Sequence, residues 1–139
     1  MCQNCLVKTI HHAQHHFGWD NSLSPVLHVA SGSQLEFHCL DAANGWFNAG
    51  STAADIPTLP FDKLNPVSGP VYVEGAQPGD ALKVTLESFR PNGFGWTANI
   101  PGFGLLADQF SDPALTLWQY DRQGLTPCAF GRYGRVPLK

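Results

Sequence analysis

Apolar and polar residues alternate along two stretches of the chain. Over residues 34–40, Leu35, Phe37 and Cys39 fall on one side and Glu36 and His38 on the other. Over 82–87, Leu82, Val84 and Leu86 alternate with Lys83, Thr85 and Glu87. A period of two marks a half-buried strand, because successive side chains of an extended backbone point to opposite faces. By this pattern Cys39 belongs to the core. Each run follows a turn: Ala30-Ser31-Gly32-Ser33 before the first and Gln77-Pro78-Gly79-Asp80 before the second. In the second turn Pro presets one dihedral and Gly supplies the positive φ of a type II geometry. Gly32 and Gly79 stand at the same spacing before their apolar positions, so one turn-then-strand unit is written twice. Residues 24–29, 70–75, 115–121 and 135–139 read as further short strands. Residues 41–61, rich in Gly, Ala, Ser, Thr and Pro, read as a long functional loop. Residues 92–104 combine glycines with Phe94, Trp96 and Phe103, and 105–110 fit a short helical turn.

Fourteen Gly and eleven Pro, spread over 139 residues, interrupt helices repeatedly and favour short strands joined by turns. The expected class is all-β. Hydrophobic residues make up 43% and charged residues 14%, against about a quarter charged in ordinary globular chains, which excludes a disordered polypeptide. Eight Lys and Arg against eleven Asp and Glu give a net charge of −3. That leaves no basic field to hold phosphates, so nucleic acid is not an expected partner. So few charges cover a small domain's surface poorly, and part of it is expected to lie against another chain or against a missing part of the same protein. No apolar run approaches the roughly 18 residues of a membrane span, and the first residues lack the apolar core of a secretory signal. Cys2, Cys5, Cys39 and Cys128 do not make a disulfide framework, and Cys2-x-x-Cys5 has no second pair to complete a zinc site. The expected setting is cytoplasmic and reducing.

Chemistry is concentrated in few places. In His11-His12-Ala13-Gln14-His15-His16, a helix would put His11 with His15 and His12 with His16 on shared faces suited to chelation, whereas a strand would send neighbours to opposite sides. His-Glu-x-x-His is absent. His16 is the preferred member, because Gly18-Trp19-Asp20-Asn21 follows closely and fixes its surroundings. Asp41 ends an alternating run and opens the long loop, where it fits either a base at a cleft rim or a simple Asx-turn. Glu74 follows Val71, Tyr72 and Val73, and Asp80 reads as a turn residue. Cys39 and Cys128 lack a visible base and orienting carboxylate, and no Gly-x-Ser-x-Gly elbow or phosphate loop occurs.

Taken together, several stretches resemble the acetamidase/formamidase family of amide hydrolases. They are His16-Phe17-Gly18-Trp19-Asp20-Asn21-Ser22 leading into Pro25-Val26-Leu27, Leu40-Asp41-Ala42, the long run from Asn65 to Asp80, Gly95-Trp96-Thr97, Pro101-Gly102-Phe103-Gly104-Leu105-Leu106-Ala107-Asp108, and Arg135-Val136-Pro137-Leu138. The resemblance implies a jelly-roll-like β-sandwich with long loops, and hydrolysis of short-chain carboxamides to carboxylate and ammonia. The wording is nearer the acetamidase-like branch. Gln77 departs from a commonly acidic family position, and Trp46-Phe47 from a more polar one. Family members are about twice as long, so 1–139 is expected to be the N-terminal part of an incomplete sandwich, with 1–11 a poorly ordered segment before it.

The expected site follows from these residues. His16 and Asp20 are the expected ligands of a divalent metal, zinc by the mixture of imidazole and carboxylate, or calcium if oxygen ligands dominate. Asp41 and Glu74 are the expected catalytic proton-transfer groups, and Asn21 and Asn65 the expected hydrogen-bonding partners of the substrate. A small amide would be the ligand, and the protein partner either further copies in a homo-oligomer or a complementary C-terminal chain. The competing expectation is a non-catalytic β-sandwich module for binding or assembly.

Overall fold

The computed structural model describes residues 6–120 and the backbone of two short strands beyond them. The chain divides into two compact units, one formed by 1–46 and 60–83 and the other by 47–59 and 84–139.

Three two-stranded ladders build the first unit. β1 (Lys8–Ile10) runs parallel to β4 (Leu35–Phe37), with Ile10 opposite Phe37, and the His38 N–H continues the ladder onto the Ile10 carbonyl at 2.9 Å. β2 (His15–His16) pairs antiparallel with β5 (Val67–Ser68), so His16 faces Val67. β3 (Leu27–Val29) runs parallel to β6 (Val71–Val73). Bonds from Val26 N–H to the Pro70 carbonyl (2.9 Å) and from Glu74 N–H to the Val29 carbonyl (2.7 Å) extend this ladder at both ends. Alternation decides its two faces: Val29 is buried, whereas His28 and Tyr72 stand in solvent. Ile10 (1% exposed), Val29 and Ala43 are the buried apolar residues of this unit.

The second unit rests on a longer antiparallel ribbon, β7 (Phe94–Asn99) with β8 (Ala114–Gln119), in which Trp96 faces Leu117 and Ala98 faces Leu115. The Phe47 and Trp96 rings meet edge-on, with centroids 4.8 Å apart. A 3-10 turn over Ala53–Thr58 supplies the buried Ile56. Its start is closed by a capping box: Thr52 Oγ1 accepts from Ala54 N–H at 3.3 Å, and Asp55 Oδ2 accepts from Thr52 N–H at 2.7 Å, which satisfies donors that the turn would otherwise leave orphaned. On the other face of the ribbon Trp118 Nε1 donates to Thr97 Oγ1 at 2.9 Å. β9 (Cys128–Ala129) pairs antiparallel with β10 (Arg135–Val136).

The described residues contain strands and two 3-10 turns, the second over Phe61–Lys63, and no α-helix, as the glycine and proline spacing predicts. Three expectations differ from the structure. The alternation over 34–40 yields only the three residues of β4, and Cys39 is exposed instead of entering the core. Its thiol lies 3.8 Å from Ser68 Oγ. The alternation over 82–87 forms no strand, and Leu82, Val84 and Leu86 are 64%, 78% and 72% exposed. The glycine-rich stretch conceals β7, in which Gly95 stands opposite Trp118 of β8. The expected turn at 77–80 is present, with Gly79 at φ +100° and Asp80 N–H bonded to the Gln77 carbonyl. The expected helical turn at 105–110 is present too, its bonds converging on the Leu106 carbonyl. Within the expected N-terminal segment 1–11, residues 8–10 form β1, and Met1 to Cys5 lie outside the described residues.

Ile10 sits at the closed end of the β1–β4 ladder. Ile10→Ala is expected to destabilise the folded chain by about 2–5 kcal/mol, the usual cost of a cavity at a fully buried aliphatic position, read as a lower urea midpoint. A midpoint unchanged from the parent would contradict this packing.

Candidate functional site

A cavity of about 310 Å³ opens in the first unit where β2 meets the turn into β6. Ala13, Leu23, Val26 and Pro70 provide its apolar wall, and Gln14, His15, His16 and Ser24 its polar groups. Its shape depends on Gly69, which is buried at φ +117° and donates its N–H to the Gln14 carbonyl at 2.9 Å. A Cβ there would approach the Val71 nitrogen to 3.3 Å in a backbone region that side chains rarely adopt. Gly69 and Pro70 are joined by a cis peptide bond.

The two strand histidines differ in their partners. His15 Nδ1 donates to the His12 carbonyl at 2.7 Å, which fixes the ring with Nε2 as its other nitrogen. His16 Nδ1 is buried and has no hydrogen-bond partner among the described residues. A buried polar atom without a partner is costly and uncommon in a folded protein. His16 is therefore the residue of this cavity whose surroundings are least satisfied.

Asp20 follows β2 in an exposed position. Its carboxyl is held below the ordinary value of 3.8, first by the Ser22 hydroxyl and then by the Ser22 N–H, which donates to Oδ1 at 2.8 Å. The His16 charge adds a smaller effect in the same direction, and slight burial opposes. Neither Asp20 nor Asn21 lines the cavity. Asn21 follows Asp20 in an exposed position.

The other expected site residues lie elsewhere in the same unit and do not line the cavity. Asp41 Oδ1 accepts from Ala43 N–H at 2.8 Å and from Gly45 N–H at 3.2 Å, the Asx geometry of a turn organiser. Asn65, at φ +53°, donates its N–H to the Ala42 carbonyl at 2.8 Å, which joins it to the Asp41 turn. Glu74 stands on the solvent face of the β3–β6 ladder, where its Oε1 accepts from His28 Nδ1 at 3.0 Å. The His28 ring also tilts against Tyr72, with centroids 4.9 Å apart. His28 has no motif around it. Only the parallel register, which sets it opposite Tyr72 and one step from Glu74, brings this dyad together.

No group of three or more His, Cys, Asp or Glu among the described residues is placed to hold a metal ion. A catalytic zinc takes three protein ligands and a water. The described residues therefore do not supply a three-ligand zinc site.

The sequence profile described as the Acetamidase/Formamidase family matches residues 6–127. The chain belongs to this family. It is 28% identical over 113 residues to the formamidase of Methylophilus methylotrophus, covering 77% of this chain and 28% of that protein. It is 27% identical over 124 residues to the acetamidase of Mycolicibacterium smegmatis, covering 80% of this chain and 30% of that one. The family member thus spans less than a third of the length of these relatives. Its fold is similar to the crystal structure of a predicted acetamidase/formamidase from Thermoanaerobacter tengcongensis, with a TM-score of 0.82 at 22% identity, over 95% of this chain and 42% of the other.

Because the folded pKa of Asp20 lies below its unfolded value, the stability it contributes is complete above the ordinary carboxylate pKa and is lost as pH falls through the lower, folded one. Ser22→Ala is expected to move the Asp20 carboxyl upward toward 3.8, measured by NMR titration of its side-chain carbon. An unmoved titration would show that Ser22 does not hold it.

Proposed function

We infer that this chain carries part of the machinery of a short-chain carboxamide hydrolase, converting an amide and water to carboxylate and ammonia. Membership of the acetamidase/formamidase family supports the reaction class. The observation that carries the site is the cavity lined by His16, with its unpartnered buried nitrogen. A small acyl group fits the wall made by Leu23, Val26 and Pro70, and the carboxamide faces Ser24, Gln14 and the two histidines.

In this reading the imidazole of His16 accepts a proton from the attacking water as oxygen bonds to the amide carbon. It returns that proton to nitrogen as the carbon–nitrogen bond breaks. Asp20, held ionised by Ser22, stabilises the imidazolium between the two transfers. Asp41 organises its own turn and Glu74 orients His28, so proton transfer passes to His16 in place of the two carboxylates that the resemblance favoured. No step is routed through a metal ion, because no group of three or more His, Cys, Asp or Glu among the described residues is placed to hold one. The non-catalytic module is favoured by one observation, that Asp41, Glu74 and His16 do not share a hollow.

Ammonia release from acetamide and formamide distinguishes the two readings. His16→Ala is expected to lower kcat/KM by about 10²–10⁴-fold, the range for loss of a positioned acid–base group, and Asp20→Asn by a smaller factor. A folded chain with no ammonia release from either amide would support the module. Full activity in His16→Ala would remove that residue from the mechanism.

A further inference from the structure

The turn that leads into β2 anchors two side chains of the cavity wall, each by one end. Gln14 N–H closes the turn on the His11 carbonyl at 2.8 Å. Gln14 Oε1 accepts the His11 N–H at 2.9 Å, and His15 Nδ1 bonds the His12 carbonyl at 2.7 Å. These backbone partners settle which side-chain atom is which. An N–H can only donate, so the Gln14 oxygen faces it and the amide –NH2 is the end left over. A carbonyl can only accept, so the His15 hydrogen sits on Nδ1 and the neutral ring keeps a lone pair on Nε2. Neither leftover nitrogen meets a hydrogen-bond partner among the described residues. Both side chains are half-buried, both residues line the cavity, and the His15 ring is further held edge-on against Phe17.

We propose that Gln14 and His15 recognise a primary carboxamide as a matched pair: the Gln14 –NH2 donates to the amide oxygen and His15 Nε2 accepts an amide N–H. The assignment rests on the reading of the cavity as a carboxamide site and names the two groups that select its ligand. A primary carboxamide carries an acceptor and a donor on one carbon, in one plane, which is the complement of what the two anchored side chains leave free.

The same pair discriminates against close analogues. A carboxylate offers acceptors only, so the product of hydrolysis sets an oxygen against the His15 lone pair. A tertiary amide has no N–H and puts a methyl group in its place. A polar site left without its partner is what rejects an analogue of nearly the same shape. The proton-transfer role stays with His16, and the pair fixes how the amide is presented to it.

NMR titration of the isotope-labelled chain with acetamide, N,N-dimethylacetamide and acetate, followed at the side-chain nitrogens of Gln14 and His15, tests the pair. In the free chain the neutral His15 ring is expected to carry its hydrogen on Nδ1. Acetamide is expected to shift both residues, and the other two ligands to bind about three- to tenfold more weakly, the worth of one hydrogen bond. His15→Asn keeps a donor for the His12 carbonyl but removes Nε2. Gln14→Glu keeps an oxygen for the His11 N–H but replaces the –NH2 with a second oxygen. Each variant is expected to weaken acetamide by about three- to tenfold, with circular dichroism unchanged from the parent. Gln14→Glu is also expected to bind acetamidinium, which presents N–H donors on both sides, more tightly than acetamide, reversing the order in the parent. A merely structural role for Gln14 would produce no reversal. Were a variant to lose its fold, the three-ligand titration of the parent decides alone.

The proposal is overturned by a neutral His15 ring with its hydrogen on Nε2, by a chain that does not bind acetamide, or by binding that leaves Gln14 and His15 unshifted. Folded variants that bind acetamide as the parent does, or the absence of the reversal, would overturn it as well. Acetamide bound in this way without ammonia release would leave the pair standing and remove the hydrolase. Ammonia release that both variants leave unchanged would do the opposite.

Discussion

Hydrogen bonding between strands far apart in sequence is the constraint on which this structure depends. Each ladder in the first unit joins segments more than twenty-five residues apart: β1 to β4, β2 to β5 and β3 to β6. None is a hairpin that could form locally, so each is closed against a loop entropy that only joint formation offsets. The ladders are two or three residues long, and a ladder that short is marginal alone. Ile10, Val29 and Ala43 are the unit's buried apolar residues among those described. Pairing and burial therefore stand or fall together in this unit.

The same constraint shapes the cavity. His16 reaches it because β2 pairs with β5, and the chain after β5 turns sharply at Gly69 to bring Pro70 and Val26 alongside. The site is thus a product of strand register. His16 lies on the strand, and Asp20 follows it in a turn where Ser22 holds its carboxyl below the ordinary value. Asp41 and Glu74, by contrast, spend their oxygens on local work. One closes a turn and the other holds His28 across the β3–β6 ladder.

Two segments with the same turn-and-alternation pattern behave differently. The run after Gly32 finds β1 and becomes β4, whereas the run after Gly79 finds no strand among the described residues. Period-two alternation reports a capacity to pair, and pairing needs a second strand at the right place. The exposure of Val84 and Leu86 follows from that missing neighbour rather than from any weakness in their β propensity. Similarly, β7 was hidden because glycine within a strand reads as a break, yet Gly95 pairs with Trp118 in the ribbon.

The sequence by itself determined the class of the fold, the turn at 77–80, the helical turn at 105–110 and the family. These rest on local chemistry: proline and glycine dihedrals, side-chain periodicity and contiguous motif residues. Only the tertiary structure decided that His15, Ser24 and Pro70 share the cavity with His16, that His28 meets Glu74, and that Cys39 faces solvent. Those facts depend on register between distant strands, and alternation specifies which residues share a face without specifying which strand that face will meet.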